Sequence, residues 1–253
     1  MSSRQVDLAY IVAIFAIGQF ATGLLFSLPF GPIESPDTGF YLSAADNFPS
    51  SVSGSIFGYV GFIGLLKIGL TLGSGVLFII AVNSVGVIAA SLALLSLGRR
   101  YGGEIPGWLA VIFYLLHPLV NQWTRYVLTE TLFYAGVLLT AYCLGRSIDL
   151  NRWSWAPLWL VAGFTSTLRP NGIVLLGAVI TVLTLSRQPR LIRHALIMLA
   201  TWMTVLALAV SSPALTATRG DFATEAWSGT VVHGAPETSI AMPEPTGLDS
   251  SNA

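Results

Sequence analysis

The chain has 253 residues, of which 54% are hydrophobic and only 9% are charged, and its formal net charge is zero. Soluble domains carry about a quarter charged residues, so this composition excludes a water-soluble globule and indicates a membrane protein. The sparse and balanced charge also excludes nucleic acid as a partner, because binding it requires clustered lysine and arginine.

Seven apolar segments predict an all-α, multi-pass membrane protein. A helix needs about 20 apolar residues to cross the hydrocarbon core. In chain order the predicted spans cover residues 8–28, 75–97, 106–119, 129–145, 155–168, 171–185 and 192–211. Three of these spans are short for a full crossing. The span at residues 8–28 is too long for a signal-peptide core and is expected to remain as an anchor.

A long loop, residues 29–74, separates the first two spans and is predicted to hold two juxtamembrane helices. Residues 38–48 form the first of them, with Asp37 or Thr38 as its cap. Residues 55–72 form the second, an apolar segment interrupted by glycines and Lys67 that is expected to lie along the outer membrane surface. Counting it as an eighth span would move Arg99 and Arg100 to the wrong side of the membrane.

The loops between spans alternate in charge, which predicts the orientation. One set holds basic residues: Arg4, Arg99, Arg100, Arg146, Arg152, Arg187, Arg190 and Arg193. The other set is acidic: Glu34, Asp37, Asp46, Glu130, Asp221, Glu225, Glu237, Glu244 and Asp249. The positive-inside rule places the N-terminus in the cytoplasm and the C-terminus outside. Residues 1–212 then form one membrane module, and the proline-containing residues 213–253 form a loosely ordered outer tail.

Asp37 is the acidic residue that the sequence singles out, because it follows the first span at the edge of the membrane. Pro36 makes Ser35 extended and directs the chain out of the membrane. On a helix from residue 38, Asp37 and Tyr41 share one face while Asp46 points elsewhere. The sequence therefore predicts one carboxylate just above the bilayer. A purely capping role for Asp37 is the alternative.

A second polar cluster lies in residues 117–131, at the outer ends of the third and fourth spans. If this segment is one helix, Tyr126 and Glu130 share a face, and Arg125 pairs in the same way with Thr129. Glu130 at a helix start is also favoured by the helix dipole alone. An arginine at membrane depth usually pairs with an anion, so Arg125 is a candidate anion-binding residue.

A third cluster, residues 165–172, lies where two short spans meet. Arg169 in this turn needs an anionic partner, and either Glu130 or a lipid phosphate would serve. A headgroup anchor without a catalytic role is the alternative. The three clusters together predict a lipid-facing outer site with one carboxylate and one or two arginines.

These clusters and two further motifs follow one another in a recognisable order. The motifs are Pro36-Asp37-Thr38 with Tyr41, Gly58-Tyr59, Gly98-Arg99-Arg100-Tyr101-Gly102, Leu128-Thr129-Glu130-Thr131-Leu132 and Thr167-Leu168-Arg169-Pro170-Asn171-Gly172. In this order the chain resembles the membrane module of the GT-C glycosyltransferases, the polyprenyl-phosphate-sugar-dependent group that includes protein mannosyltransferases and aminoarabinose transferases. That module has seven spans with two juxtamembrane helices in its first outer loop.

The resemblance implies a sugar transfer with inversion from a polyprenyl-phosphate donor to an acceptor hydroxyl, on the outer side of the plasma membrane. It implies that Asp37 is the general base. Substrate-binding roles fall to the remaining candidates, which are Tyr41, Arg125, Tyr126, Glu130, Arg169 and Asn171. Arg125 and Arg169 would hold the phosphate, and Glu130 would orient an arginine or contact the sugar. The expected partners are the lipid-linked donor and membrane lipid.

Two departures from the family pattern bear on this interpretation. Many members carry Asp-Glu where this chain has Asp37-Thr38, and most continue beyond the seventh span. The second departure has two interpretations: the chain is a truncated paralogue, or it is one subunit of a larger membrane assembly. A non-catalytic scaffold subunit and a carrier of a lipid-linked anion are the alternative functions.

The sequence predicts neither a metal site nor a disulfide. His117, His194 and His233 are scattered along the chain without the spacing of metal ligands, so no cofactor is expected, although a divalent metal is not excluded by the sequence. The single cysteine, Cys143, lies in an apolar run and is expected to be a buried small hydrophobe.

Overall fold

The computed structural model describes residues 3–29, 31–49, 58–149, 155–185 and 189–211. Within these ranges the chain is all helical and contains no strand. The helices are α1 (Ser3–Leu25), α2 (Thr38–Asp46), α3 (Val60–Thr71), α4 (Val76–Tyr101), α5 (Glu104–Leu116), α6 (Pro118–Arg125), α7 (Glu130–Asp149), α8 (Trp155–Ser166), α9 (Gly172–Leu185) and α10 (Pro189–Ser211). The all-α prediction is confirmed for this part of the chain.

Each of the seven predicted spans coincides with a helix, and these are α1, α4, α5, α7, α8, α9 and α10. Three segments are long and apolar enough to cross a membrane: Arg4–Leu25, Val76–Tyr101 and Glu130–Ile148. At about 1.5 Å per residue, α4 measures roughly 39 Å, which exceeds the hydrocarbon thickness of about 30 Å. The helices α5 and α9 are apolar but shorter. Seven helices are therefore present where seven spans were predicted.

The outer faces of these helices carry large apolar side chains. Examples with more than half of their surface exposed are Ile17, Phe20, Leu24, Phe113, Leu160 and Val174. A water-soluble monomer rarely exposes so much contiguous apolar surface, whereas lipid would surround it favourably. Together with the apolar long helices, these faces identify a membrane protein.

Helix α4 lies at the centre of the molecule and packs most extensively against α5 and α7. One core cluster joins α1, α4 and α5 through Ile11, Phe15, Val87, Leu95, Val111 and Leu115. A second joins the later helices through Cys143, Trp155, Leu158, Leu176, Leu183, Leu191 and Met198. Cys143 is a free thiol buried in that cluster, as predicted.

The loop after α1 carries the two predicted short helices, α2 and α3, which pack against each other. Each is shorter than predicted, and residues 55–57 of the second prediction lie outside the described residues. A third core cluster holds both helices on the body of the protein and comprises Tyr41, Ala45, Tyr59, Phe62, Ile63, Leu66, Ile79, Val127, Leu132 and Leu168. The predicted tail, 213–253, also lies outside the described residues.

The helix on which the sequence paired Tyr126 with Glu130 and Arg125 with Thr129 is not present. Helix α6 ends at Arg125, Tyr126 is extended (ψ 149°), and α7 begins only at Glu130. The backbone here pairs with the loop after α1, since Ile33 N–H donates to Arg125 O at 2.9 Å and Ile33 forms a bridge with Tyr126. Neither proposed helical pair, Tyr126 with Glu130 or Arg125 with Thr129, can therefore form along one helix face.

The end of the third predicted span was also placed too late. Helix α5 stops at Leu116 because Pro118 restricts the residue before it, and His117 is extended (φ −64°, ψ 123°). Pro118 then occupies the start of α6, where its missing N–H is tolerated. The His117 side chain accepts a hydrogen bond from Leu119 N–H and caps this helix.

Candidate functional site

Asp37 occupies the N-cap position of α2, as the sequence predicted, but its side chain makes no capping hydrogen bond. The turn into the helix is instead fixed by Thr38, whose Oγ1 accepts a hydrogen bond from Ser35 N–H at 2.8 Å. Thr38 is buried, whereas Asp37 is half-buried at the surface. The turn into α2 is therefore fixed by Thr38 and not by a capping hydrogen bond from the Asp37 carboxylate.

Tyr41 lies one turn further along α2 and is buried, with its N–H donating to Asp37 O at 3.0 Å. Its ring packs against Tyr59 at a centroid distance of 5.5 Å and against Phe62 at 5.1 Å. Tyr59 is also buried, and it directly precedes α3. The two tyrosines thus join α2 to the start of α3.

Glu130 and Arg169 form an ion pair, with Arg169 Nη1 donating to Glu130 Oε1 at 2.8 Å. Glu130 begins α7, and Arg169 lies in the turn between α8 and α9. The sequence named Glu130 as one of two partners for Arg169, and the structure contains this pair. About a quarter of each side chain remains exposed (27% for Arg169 and 21% for Glu130), so a ligand could still reach them.

The two tyrosines are surrounded by the charged groups. Burial raises the pKa of Tyr41 well above its usual range, and the Tyr59 hydroxyl and the carboxylates of Asp37 and Glu130 add to this effect, while Arg169 opposes it. Burial also raises the pKa of Tyr59, against the nearby Arg169 charge. Both tyrosines therefore stay protonated at neutral pH and can donate a hydroxyl hydrogen bond.

These contacts bring together residues from separate parts of the chain. Four elements contribute: the start of α2, the start of α3, the start of α7 and the turn between α8 and α9. We call the group Asp37, Tyr41, Tyr59, Glu130 and Arg169 the outer cluster, after the side of the membrane on which the sequence predicts it. It combines a half-buried carboxylate, an arginine with an exposed edge and two hydroxyl donors. Such a set can accept a proton from an alcohol and hold an anion.

Arg125 lies outside this cluster. It is almost fully buried (3% exposed) at the end of α6. Its Nε donates to Gln19 Oε1 at 2.8 Å, Nη1 donates to Pro29 O at 3.2 Å, and Nη2 donates to Gln19 O. These bonds tie the end of α6 to α1 and to the chain that leaves it, and they favour a structural role over phosphate binding.

Tyr126 and Asn171 have their hydrogen-bond partners outside the outer cluster. The Tyr126 hydroxyl lies 3.5 Å from Gln122 Nε2, and Asn83 Nδ2 donates to the Tyr126 carbonyl at 3.3 Å. Asn171 is exposed just before α9, and its carbonyl accepts a hydrogen bond from Val174 N–H. Their substrate-binding roles stay predictions.

Sequence reasoning missed the importance of two residues. Tyr59 was noted only as part of a motif, although a tyrosine beside Gly58 in an apolar segment was a signal for a close polar contact. Gln19 was overlooked as a lone amide inside the first span, where a polar side chain must find a partner. It donates to Asn121 Oδ1 at 3.0 Å and accepts from Arg125.

Among the described residues, no group of three or more His, Cys, Asp or Glu side chains is placed to hold a metal ion. The outer cluster contains two carboxylates, Asp37 and Glu130, of which Glu130 is paired with Arg169.

The helical fold, the lipid-exposed faces and the outer cluster define a polytopic membrane protein with a polar site at one end of its helices. The dolichyl-phosphate-mannose-protein mannosyltransferase family matches residues 63–216, which is more than half of the chain. The chain belongs to this family and is a membrane glycosyltransferase of the GT-C type. The matched range begins within α3, beyond Asp37, and includes Glu130 and Arg169. No curated protein and no solved structure matches the chain.

Proposed function

We propose that this protein transfers a sugar, with inversion, from a polyprenyl-phosphate-linked donor to an acceptor hydroxyl on the outer side of the plasma membrane, with Asp37 as the general base. The family description names dolichyl-phosphate-mannose as donor and protein as acceptor, so lipid-linked mannose is the donor to test. The observation that carries the proposal is the outer cluster, in which Asp37, Glu130 and Arg169 all lie close enough to the buried Tyr41 to shift its pKa, and Glu130 pairs with Arg169.

The charges of the outer cluster fit the requirements of this reaction. Asp37 accepts the proton of the acceptor hydroxyl while that oxygen attacks the anomeric carbon of the sugar. The bond between the anomeric carbon and the phosphate oxygen breaks, and its electron pair leaves with the lipid phosphate. Attack from the face opposite the leaving group inverts the configuration. No redox partner or further reactant is needed.

Arg169 is the residue proposed to hold the lipid phosphate. An arginine forms two parallel charge-assisted hydrogen bonds to a phosphate, which stabilises the negative charge that grows on the leaving group. Glu130 holds Nη1 of this arginine at 2.8 Å and so fixes the direction of the guanidinium. Tyr41 remains protonated and can donate its hydroxyl to a sugar or phosphate oxygen. Asn171, two residues after Arg169, is the proposed contact to the donor headgroup.

Arg125 enters the proposal in a different role. Its three bonded nitrogens face Gln19 and Pro29, so it supports the outer end of α1 and does not reach the donor. Tyr126, the next residue, lines the same junction and is proposed only as a neighbour of the donor site.

The test is sugar transfer from labelled polyprenyl-phosphate mannose by membranes that contain the wild-type chain, Asp37→Asn or Asp46→Asn at equal expression. Asp46 ends the same short helix and is exposed, so it is a matched carboxylate control. Loss of a general base slows catalysis by about 10²- to 10⁴-fold, and we expect a loss in this range for Asp37→Asn only.

Each other outcome has a defined meaning. Equal transfer by wild type and Asp37→Asn would remove Asp37 from the mechanism. Transfer by none of the three proteins would contradict the proposed donor and favour a scaffold subunit that keeps the fold without turnover. Product carrying the same anomeric configuration as the donor would contradict inversion.

A further inference from the structure

The start of α3 lies directly on the turn between α8 and α9. Gly61 N–H donates to the Thr167 carbonyl at 2.9 Å, which ties the two backbones together. A Cβ built on Gly61 would overlap Thr167 Oγ1, and it would lie 3.1 Å from Thr167 Cβ and 3.2 Å from its carbonyl oxygen. Rotating Thr167 would break the hydrogen bond that its Oγ1 donates to Phe164 O at 2.7 Å and would leave its Cβ and carbonyl oxygen close to the added carbon. A methyl group at position 61 therefore requires Thr167 and its turn to move.

Gly58, three residues before Gly61, makes a similar close contact with the other end of the turn between α8 and α9. A Cβ on Gly58 would lie 2.5 Å from Pro170 Cγ and 3.1 Å from the Cβ and Cδ of that ring. Gly58 is buried. Two glycines three residues apart thus contact Thr167 and Pro170.

The residues between these two contacts are Leu168 and Arg169. Leu168 is fully buried in the core cluster that contains Tyr59 and Phe62. The turn is therefore held by this core packing as well as by its contacts with the two glycines. Arg169 points to Glu130 from this turn. Tyr59, which lies between the two glycines in sequence, contacts Tyr41 of α2. The contact between α3 and the turn therefore connects the half of the outer cluster around Asp37 with the half around Arg169.

We propose that Gly58 and Gly61 are positioning residues that set the spacing between Asp37 and Arg169, and that a methyl group at either position displaces Arg169 from the phosphate of a polyprenyl-phosphate donor. This inference rests on the proposed function only where it assigns that phosphate to Arg169. A displacement of about 1 Å in a binding or catalytic group can reduce activity by up to about 10²-fold.

The structure provides a matched control in Gly64, on the same helix. A Cβ on Gly64 would meet nothing within 4 Å, so Gly64→Ala adds the same methyl group to α3 without displacing the turn. Gly64 lies in the interior of α3, where alanine is favoured over glycine at least as much as in the first turn that contains Gly61. A loss of binding in Gly61→Ala alone therefore reports the contact with Thr167.

The experiment measures binding of a polyprenyl phosphate without sugar to the purified full chain in detergent, and then donor kinetics. We expect Gly61→Ala to weaken binding of the lipid phosphate and to raise the donor KM by about tenfold or more, with a smaller change in kcat. Gly64→Ala should match wild type in both. Adding Thr167→Ala to Gly61→Ala should restore part of the affinity, since it removes the overlapping hydroxyl.

If Gly61→Ala does not yield folded protein, Gly58→Ala tests the same displacement from the opposite end of the turn. Equal lipid-phosphate binding and equal donor KM for Gly61→Ala and Gly64→Ala would overturn the proposal. So would a loss in Gly61→Ala that the Thr167→Ala change does not relieve. If wild type binds lipid phosphate but transfers no sugar, the proposed function fails while the positioning role is still decided by the binding data.

Discussion

Two arginines near the ends of helices, Arg125 and Arg169, have different surroundings, and these surroundings indicate different roles. Arg125 is 3% exposed and donates to a glutamine side chain and two backbone carbonyls. Arg169 keeps 27% of its side chain exposed and pairs with Glu130. Protein acceptors take up donors of Arg125, whereas Arg169 keeps an edge that a ligand can reach. The sequence identified both arginines as candidates for binding phosphate. It could not distinguish them, because the burial and the hydrogen-bond partners of each arginine depend on segments that are distant in the chain.

A prediction at the residue scale concerns Arg125. Arg125→Met leaves the Gln19 and Pro29 acceptors without their donor in a buried place, and each unsatisfied buried group costs about 1–3 kcal/mol. We expect the thermal unfolding temperature in detergent to fall, with the donor KM of the folded fraction unchanged. Arg146→Met serves as control because Arg146 is exposed. An unchanged unfolding temperature together with a raised donor KM would instead assign Arg125 to the phosphate.

Residue-level prediction worked where chemistry is local. The order Pro36-Asp37-Thr38 was enough to place Asp37 at the start of α2, and a cation in a turn between two apolar segments was enough to predict an anionic partner for Arg169. It failed for Tyr126, whose extended conformation depends on backbone pairing with Ile33, 93 residues earlier in the chain. Gln19 and Arg125, 106 residues apart, illustrate the same limit.

At the scale of elements, the end of α4 opposite the outer loop carries a charged cluster that joins three helices. Arg99 Nη1 donates to Asp7 Oδ2 of α1 at 2.6 Å, and Arg99 Nε donates to Glu104 Oε2 of α5 at 2.7 Å. Trp108 Nε1 donates to Glu104 Oε1, and its ring lies 5.8 Å from the Arg99 guanidinium carbon. The sequence used Arg99 for orientation and as part of a family motif, but it did not predict this cluster, since the partners of Arg99 lie on other helices.

This arrangement predicts that Arg99 stabilises the helices without taking part in sugar transfer. Arg99→Gln breaks both carboxylate contacts of a partly exposed network, and we expect a loss of roughly 1 kcal/mol in unfolding free energy. The donor KM should not change, because the outer cluster lies at the other end of α4. Denaturation of the purified Arg99→Gln variant measures the unfolding free energy, with Arg100→Gln as the comparison variant. A changed donor KM with unchanged stability would contradict this prediction and would show that Arg99 influences donor binding at the outer cluster.

At the scale of the whole molecule, apolar length is sufficient to predict the helices α1, α4, α5, α7, α8, α9 and α10. The signal is strong because lipid imposes one solution on the backbone, which is to satisfy every N–H and C=O within a helix. Helix ends were less accurate where a proline or a pairing loop decides them, as at His117 and Tyr126. Contacts between distant segments, such as that of Gly61 with Thr167, could not be predicted from the composition.

The proposed orientation is a further prediction for the whole molecule. Replacing the single cysteine in Cys143→Ser gives a background for labelling with a thiol reagent that does not cross membranes. We expect Ser43→Cys, exposed on α2, to react in intact cells, and Tyr101→Cys, 71% exposed at the end of α4, to react only after the membrane is opened. The reverse pattern would invert the topology and place Asp37 in the cytoplasm.

The central claim is that Asp37 and Arg169 perform two different tasks in one site, and single-turnover transfer from labelled polyprenyl-phosphate mannose tests it most directly. Asp37→Asn should lower the maximal rate by about 10² or more while the half-saturating donor concentration stays at the wild-type value. Arg169→Gln should raise the half-saturating donor concentration. Wild-type rates in Asp37→Asn, or wild-type donor saturation in Arg169→Gln, would contradict this assignment of base and phosphate-binding residue.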